Sequence, residues 1–319
     1  MLTFSLIVLI GDKQEMMDKK VKLIIVFNHK YNQNLEKLRN IYKNRFSTIQ
    51  FLVPFYDGED KDVLPVFESS FYFHGFFSQR FDDIYENGKY DYYVFAGDDL
   101  ILNPMLNEKN IIEAFKLNGK DAFFNKIIPL SEATFWGYNR FKPAGESFFE
   151  CGVNYRSELP SKEEAILRNN EYGFKYLPVS NKIKYFKPKA KNIKDVVKAF
   201  VNKHFYPIKE IDYPLYCGYS DFFIISKDKL REFSRLCGIF AAMNIFVEIA
   251  VPTSLVLSIK HDMMVQDEDI DLEAKTMWIQ LPEVAQFEKN CDYTISKMVE
   301  LWPDNYAYLH PLKLSKWRE

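Results

Sequence analysis

Two adjacent aspartates, Asp98 and Asp99, follow a run of apolar and aromatic residues at 92–96 and are well suited to metal chemistry. A hard divalent cation takes oxygen ligands and keeps substrate phosphates among them. One carboxylate of such a pair can face a metal while the other orders the loop or accepts a hydrogen bond from a ribose hydroxyl. An isolated pair of this kind is also typical of a cap on the following segment. The elements that position the pair therefore decide between the two interpretations.

The first third of the chain predicts strands that end near this pair. Apolar runs of strand length occur at 21–28, 49–58 and 91–99, and segments with helical spacing separate them. This alternation predicts parallel βαβ units with right-handed crossovers. Ligands of such sheets collect at the carboxyl ends of the strands, where Asn28 and Asp57 also fall. The meeting of these polar residues at one edge is the first indication of function.

The expected fold class is α/β, with a central, mainly parallel sheet flanked by helices. Helices are predicted at 32–46, at 69–88, where Asn87-Gly88 is the C-terminal signal, and near 108–117. Further strands are predicted at 121–130 and 216–226. Residues 227–260 are predicted to be mostly helical, with Pro252 breaking or kinking the helix. Residues 1–16 are expected to be an extension of uncertain role. Residues 182–203 hold eight lysines against one aspartate and are predicted to be an insertion or a boundary between lobes.

Composition narrows the classes of partner and compartment. The 319 residues carry a formal net charge of only -2, so no global field attracts the protein to nucleic acid, and no nucleic-acid partner is expected. The four cysteines contain no CxxC pair, which indicates a reducing compartment and a cytoplasmic protein. The apolar run at the start lacks the basic region and the cleavage site of a secretory signal.

The segment YVFAGDDLILNP resembles the acidic motif of GT-A glycosyltransferases, usually written DxD, which binds a nucleotide-sugar diphosphate through Mn²⁺ or Mg²⁺. The resemblance covers roughly residues 20–135 and implies a Rossmann-like GT-A fold, with a nucleotide-sugar half at 17–135 and an acceptor half at 136–319. Gly97 stands where a strict motif has its first aspartate. The resemblance then implies that Asp99 takes the metal role, while Asp98 is an accessory ligand or a ribose contact. The string Gly-Asp-Asp is also similar to the palm motif of RNA-dependent RNA polymerases, but the chain is short and lacks a strongly basic channel.

The same resemblance implies further contacts with the donor. The ends of the first two strands would cradle base and ribose, which assigns Asn28 and Asp57 to the nucleotide; Asp57 is equally typical of a turn before a glycine. A basic side chain on the helix before the acidic strand, Arg80, would lie against the nucleotide or be a solvated surface residue. The C-terminal segment HPLKLSKW resembles a closing segment in which the histidine completes the metal shell and lysines neutralise phosphate. It makes His310 a metal-ligand candidate and places two phosphate candidates, Lys313 and Lys316, beside it.

The second half offers candidates for acid–base chemistry. An inverting enzyme needs a carboxylate near the acceptor hydroxyl, and Glu248 and Asp221 are the catalytic candidates. Glu248 is flanked by apolar residues, so it is either functional or a structural anchor. Trp136 and Tyr138 can stack on a sugar ring or pack in the core. Among the histidines, His74 is a candidate for the nucleotide region. The others, His29, His204 and His261, are expected to be structural or surface residues.

The predicted function is transfer of a sugar from a nucleotide-diphosphate donor, with UDP-sugar favoured, to a glycan or lipid-linked acceptor, in surface polysaccharide biosynthesis. A nucleotidyltransferase acting on a sugar phosphate and a non-catalytic glycan- or protein-binding domain are the alternatives. The lysines at 182–203 fit contact with an anionic membrane at its inner face, or with an acidic acceptor. They fit a solvated insertion equally well.

Overall fold

The computed structural model describes residues 20–133, 155–178, 211–275 and 281–318. Several sequence predictions lie outside these ranges and concern the extension at 1–16, Trp136, Tyr138, the lysine-rich segment at 182–203 and His204.

Strands and helices alternate through the described residues, as an α/β fold requires. The strands are β1 Val21–Val26, β2 Ile49–Pro54, β3 Val63–Val66, β4 Tyr92–Gly97, β5 Ile101–Leu102, β6 Ala122–Phe124, β7 Ile128–Pro129, β8 Tyr216–Cys217, β9 Phe222–Ser226, β10 Met264–Val265, β11 Glu273–Lys275 and β12 Tyr306–Leu309. The α-helices are α1 Leu35–Tyr42, α2 Gly75–Gln79, α3 Phe81–Ile84, α4 Ile111–Ala114, α5 Lys162–Glu171, α6 Lys227–Ala242, α7 Val247–Ser258, α8 Pro282–Asn290 and α9 Ile295–Glu300.

The central sheet has seven strands in the order β10-β6-β9-β4-β1-β2-β3. All neighbouring strands are parallel except those that flank β9, which runs antiparallel to both β4 and β6. A smaller sheet has the order β11-β12-β5, and β7 pairs with β8. The predicted α/β class with a mainly parallel sheet is therefore confirmed. The central sheet takes strands from both sides of the expected division near residue 135.

Both faces of the sheet are buried, which explains the continuous apolar runs in the sequence. Side chains alternate along a strand, so Ile24 and Val26 face the layer of α2, α6 and α7. Leu23 and Ile25 face the opposite layer, which contains α1 and α8. In the described part of the chain, no helix is both long and apolar enough to cross a bilayer.

Three predicted elements differ from the structure, and one strand was not predicted. The strand expected at 121–130 is two strands, β6 and β7, separated by three residues. The helix expected at 69–88 is a 3₁₀ turn at Ser70–Tyr72 followed by α2 and α3, and it ends at Ile84 rather than at Gly88. The strand expected at 216–226 is two strands, β8 and β9, separated by four residues. Strand β3 was not predicted, because it is a four-residue edge strand that contains a proline.

Pro252 does not break its helix, because α7 runs through it from Val247 to Ser258, so the predicted break at this residue was wrong. The interruption lies at residues 243–246, between α6 and α7, where Asn244 has a φ of 54°. Pro252 lies inside α7 and has no N–H to donate to the carbonyl of Glu248, four residues back. That carbonyl instead accepts a hydrogen bond from the Gly218 N–H at 3.1 Å. The helix continues because the loop after β8 supplies the donor that proline lacks.

Candidate functional site

The polar residues predicted from strand ends meet at one edge of the central sheet. Asp98 and Asp99 directly follow β4. Asp221 immediately precedes β9, which is antiparallel to β4, so it reaches the same edge. His310 follows β12, and the Leu312 N–H donates to the Asp99 carbonyl at 2.8 Å. A narrow cleft at this edge is lined by nine residues that include Asn28 and Asp221.

Asp99, Asp221 and His310 form a compact charged group. The Nε2 atom of His310 lies 3.3 Å from Oδ1 of Asp99 and 3.7 Å from Oδ1 of Asp221. Burial alone lowers the pKa of His310, but the carboxylates of Asp221 and Asp99 outweigh it and raise that pKa to about 9. Burial acts to raise the pKa of Asp99, yet the charge and hydrogen bond of His310 leave it below its ordinary value. At neutral pH the three side chains are thus an imidazolium held by two acidic groups.

Asp98 has different neighbours from Asp99, although the two are adjacent. Its side chain is 2% exposed, and Oδ2 accepts a hydrogen bond from Nδ2 of Asn34 at 3.4 Å. Burial, and then the charge of Asp99, raise the pKa of Asp98 well above its ordinary value, while Asn34 and the backbone N–H of Asn28 oppose this. Asp98 therefore lies toward the ends of β1 and α1, and Asp99 lies toward His310.

Gly97 leaves a space that Asp221 occupies. A Cβ atom built on Gly97 would lie 3.4 Å from Oδ1 of Asp99 and 3.6 Å from Cβ of Asp221, both ordinary contact distances. The Gly97 N–H also donates to the Asp221 carbonyl at 2.8 Å. The side chain of Asp221 thus stands beside the position that the first aspartate of a strict DxD motif would use.

A buried glutamate fixes the C-terminal segment that carries His310. Glu288 in α8 is 2% exposed, and its Oε1 accepts hydrogen bonds from the Lys313 N–H at 2.8 Å and from Nε1 of Trp317 at 3.3 Å. Lys37 in α1 donates to the Leu314 carbonyl at 2.9 Å. These contacts hold the segment against both α1 and α8, beside the Asp99 carbonyl.

Glu248 lies in the first turn of α7 and is 4% exposed. Its charge raises the pKa of His310, as a smaller contribution than those of Asp221 and Asp99. It also acts on Tyr219, whose pKa is raised mainly by burial and then by Glu248 and Asp221. Glu248 is thus part of the same electrostatic environment as the charged group.

Asp57 and Arg80 make contacts outside the charged group. Asp57 is exposed and forms an ion pair with Lys30, whose Nζ is 2.9 Å from its Oδ2. Arg80 lies between α2 and α3, and its Nε donates to the Pro65 carbonyl at 2.7 Å, which ties the helices to β3. Lys313 and Lys316 are exposed on the C-terminal segment.

Sequence reasoning missed a second polar group at the same edge. Asn125 follows β6 and donates through Nδ2 to Oδ2 of Asp267, which follows β10, and to the Tyr308 hydroxyl at 3.4 Å. Burial, and then the charge of Glu268, raise the pKa of Asp267 to about 7. Burial, and then the charges of Asp267 and Asp221, raise the pKa of the Tyr308 hydroxyl. This second polar group and the charged group of Asp99, Asp221 and His310 are therefore neighbours. Asp267 could have been found by the strand-end rule, but β10 is only two residues long.

The described histidines other than His310 have diverse environments. His74 is fully buried beside the backbone of Phe240. His261 is exposed, with its ring 5.1 Å from that of Tyr172. His29 is exposed, yet its charge contributes to lowering the pKa of Asp99, which the default assignment to the surface did not anticipate.

The donor set is suited in kind to Mn²⁺ or Mg²⁺, since carboxylates and an imidazole converge on one point. As they stand, the described residues contain no group of three His, Cys, Asp or Glu side chains arranged to hold a metal ion. The nitrogen of His310 is paired with the two carboxylates, so a cation would have to replace this ion pair. The residue types fit a divalent ion that also takes ligands from phosphate.

No family model matches the sequence, and no curated protein is significantly similar to it.

Proposed function

We propose that this protein is a metal-dependent glycosyltransferase of the GT-A type that uses a nucleotide-sugar donor, with UDP-sugar favoured. The observation that carries the proposal is the convergence of Asp99, Asp221 and His310 at the carboxyl edge of a mainly parallel sheet. Open α/β sheets bind nucleotides at this edge. The acceptor would be a glycan or a lipid-linked glycan.

Asp99 and His310 would hold Mn²⁺ or Mg²⁺, and Asp221 would be the third protein ligand in place of an aspartate at position 97. When bound, the ion would act as a Lewis acid toward the diphosphate of the donor. Asp98, buried against Asn34, would position the loop that carries Asp99. This assignment moves Asp221 from the acid–base role to the metal side of the edge.

Glu248 would then be the acid–base group. It belongs to the first turn of α7, where the helix dipole stabilises a carboxylate. Its role would be to accept the proton of the acceptor hydroxyl as that oxygen bonds to the sugar carbon and the nucleoside diphosphate leaves. The backbone bond from Gly218 fixes this turn relative to the loop before β9.

Residues at the ends of the first two strands would bind the nucleotide. Asn28 lines the cleft together with Asp221. Asp57 would reach the base or ribose after exchanging its ion pair with Lys30. Lys313 and Lys316 would lie along the phosphates, and Arg80 would contribute only through the packing of α2 and α3 on β3.

The proposal can be tested by thermal unfolding with a panel of nucleoside diphosphates and nucleotide sugars, with and without Mn²⁺. A ligand at one hundred times its dissociation constant should add about 2.7 kcal/mol to the free energy of unfolding. We expect a metal-dependent shift with one nucleotide in the wild type and in the control Asp262→Asn, and none in Asp99→Asn. Absence of a shift with every nucleotide would overturn the proposal.

A second readout separates the alternatives. Incubation of the protein with the nucleotide sugar that shifts its unfolding should release nucleoside diphosphate. Release of pyrophosphate from a nucleoside triphosphate and a sugar phosphate would identify a nucleotidyltransferase instead. Binding of a nucleotide without turnover by either route would favour the non-catalytic alternative.

A further inference from the structure

Four exposed aromatic rings follow the carboxyl ends of three neighbouring parallel strands. They are Tyr31 after β1, Phe55 after β2, and Phe67 and Phe71 after β3, with 45–59% of each residue exposed. Pro54 and Val66 are partners in the β2–β3 register, so Phe55 and Phe67 leave the sheet at the same level. Their ring centroids are 5.9 Å apart in an edge-to-face arrangement. We call this set the aromatic rim.

The backbone holds these rings in place. Phe55 has a φ of 53°, a conformation that is unfavourable for a bulky side chain, and its N–H donates to the Val66 carbonyl at 2.9 Å. The Gln79 side chain holds both backbone groups of Phe67, accepting from its N–H at 2.9 Å and donating to its carbonyl at 3.1 Å. Rings that are rigid and exposed in this way are typical of a binding surface rather than of incidental exposure.

The charges beside the rings indicate the chemistry of the partner. The segments that carry the rings, 27–34, 55–62 and 67–74, contain five carboxylates and two lysines, and Arg39 of α1 pairs with two of the carboxylates, Asp60 and Asp62. The excess of negative charge disfavours anionic lipid and nucleic acid. Aromatic faces beside carboxylates instead suit cationic ammonium groups, through cation–π and ion-pair contacts. Phosphatidylcholine and phosphatidylethanolamine present such ammonium groups above an apolar interior that accepts aromatic rings.

We propose that the aromatic rim attaches the protein to the surface of a zwitterionic phospholipid bilayer. The rim and the candidate site share the carboxyl edge of the sheet, so attachment would bring that edge close to the lipid surface. This surface differs from the lysine-rich segment in charge and in preferred lipid. The proposal does not depend on glycosyl transfer.

The test is flotation of the purified full-length chain with phosphatidylcholine vesicles. We expect binding in the wild type that persists in about 0.5 M salt, because ring insertion is not screened as surface charge is. The double variant Phe55→Asn, Phe67→Ser should reduce the partition coefficient about tenfold, since both rings lose apolar contact area. The matched control is Met105→Ser, because Met105 is 78% exposed and belongs to another part of the surface.

The double variant should keep the wild-type unfolding temperature, since both rings are exposed and asparagine tolerates a positive φ. We also expect weaker binding when about a third of the lipid is phosphatidylserine, because of repulsion by the carboxylates. Three results would overturn the proposal: no binding of the wild type, equal loss in the Met105 control, or binding only to anionic vesicles with release by salt. A wild-type dimer that the double variant dissociates, without vesicle binding, would assign the rim to a second copy of the chain.

Discussion

The imidazole Nε2 of His310 lies 3.3 Å from Oδ1 of Asp99, and the same atom is 3.7 Å from Oδ1 of Asp221. These residues come from three distant parts of the sequence, and the ion pair joins the C-terminal segment to the central sheet. The pair also makes His310 the cation that keeps two carboxylates together in the absence of metal.

The first prediction concerns this cation. In the presence of a chelator, His310→Gln should lower the free energy of unfolding by about 3 kcal/mol, because it leaves two carboxylates facing each other without a counter-charge. Adding Asp221→Asn should recover part of the loss, as urea unfolding would show. The control His261→Gln removes an exposed imidazole and should leave stability within about 0.5 kcal/mol of wild type. Equal losses in the single and double variants would contradict the arrangement.

The second prediction concerns the carboxylate beside Gly97. Asp221→Ala should abolish most of the Mn²⁺-dependent thermal shift with nucleotide, and adding Gly97→Asp should restore it from the neighbouring strand. A Cβ atom built on position 97 meets its neighbours only at ordinary contact distances. The control pair Gly97→Ala, Asp221→Ala should remain without a shift. If the double variant Gly97→Asp, Asp221→Ala behaves like the double variant Gly97→Ala, Asp221→Ala, then Asp221 does not substitute for the missing residue of the motif.

The third prediction concerns the anchor of the C-terminal segment. Glu288→Leu should lower the free energy of unfolding by about 2–4 kcal/mol, because two buried donors, the Lys313 N–H and Nε1 of Trp317, lose their acceptor. Glu288→Gln retains an acceptor oxygen and should cost much less. Hydrogen exchange at 310–318 should quicken in the leucine variant. Equal protection in the two variants would show that another contact holds the segment.

The fourth prediction is a pH dependence caused by His74. Burial lowers the pKa of His74 to about 3, with the backbone of Phe240 opposing slightly. The unfolded state therefore binds the proton first as pH falls below about 6.5, and the folded state loses stability by about 1.4 kcal/mol per pH unit. Urea unfolding between pH 6.5 and 4.5 should show this slope in the wild type and a shallower one in His74→Phe. Parallel slopes would mean that His74 is protonated in the fold.

The fifth prediction has the opposite sign and concerns Asp267. Its pKa is raised to about 7, chiefly by burial, so its neutral form is favoured in the fold. The stability that this gives is complete below the unfolded pKa near 4 and is lost as pH rises through 7. Asp267→Asn should therefore stabilise the protein more at pH 8 than at pH 5, which thermal unfolding at the two pH values measures. A constant difference would show that the carboxyl is ionised throughout.

The fold was predictable where a local pattern decides the element. Strands β1, β2 and β4 are buried on both faces, so their continuous apolar runs indicate them directly. Strand β3 is short and contains Pro65, which an edge strand tolerates but a sequence pattern reads as a turn. The position of the break near Asn244, rather than at Pro252, depends on a hydrogen bond from Gly218 that no local pattern contains.

The candidate site, like the fold, was predictable only where a local sequence pattern indicates the strand that positions a residue. Asn28, Asp98 and Asp99 stand at the ends of strands that the pattern shows, so their meeting followed from the parallel sheet. The contact of Asp221 with Gly97 depends on the antiparallel insertion of β9, which its sequence does not indicate. Asp267 follows a strand too short to recognise.

The hydrogen bond from Gly218 to the Glu248 carbonyl has a consequence for the spacing of the acidic groups. One end of the loop between β8 and β9 is bonded to α7 at Glu248, and its other end is bonded to β4 through the Asp221 carbonyl and the Gly97 N–H. These two main-chain bonds link the turn that carries Glu248 to the strand that ends just before Asp99. Neither bond involves a side chain, so both remain when either carboxylate is exchanged for its amide, and the contributions of the two can be measured separately.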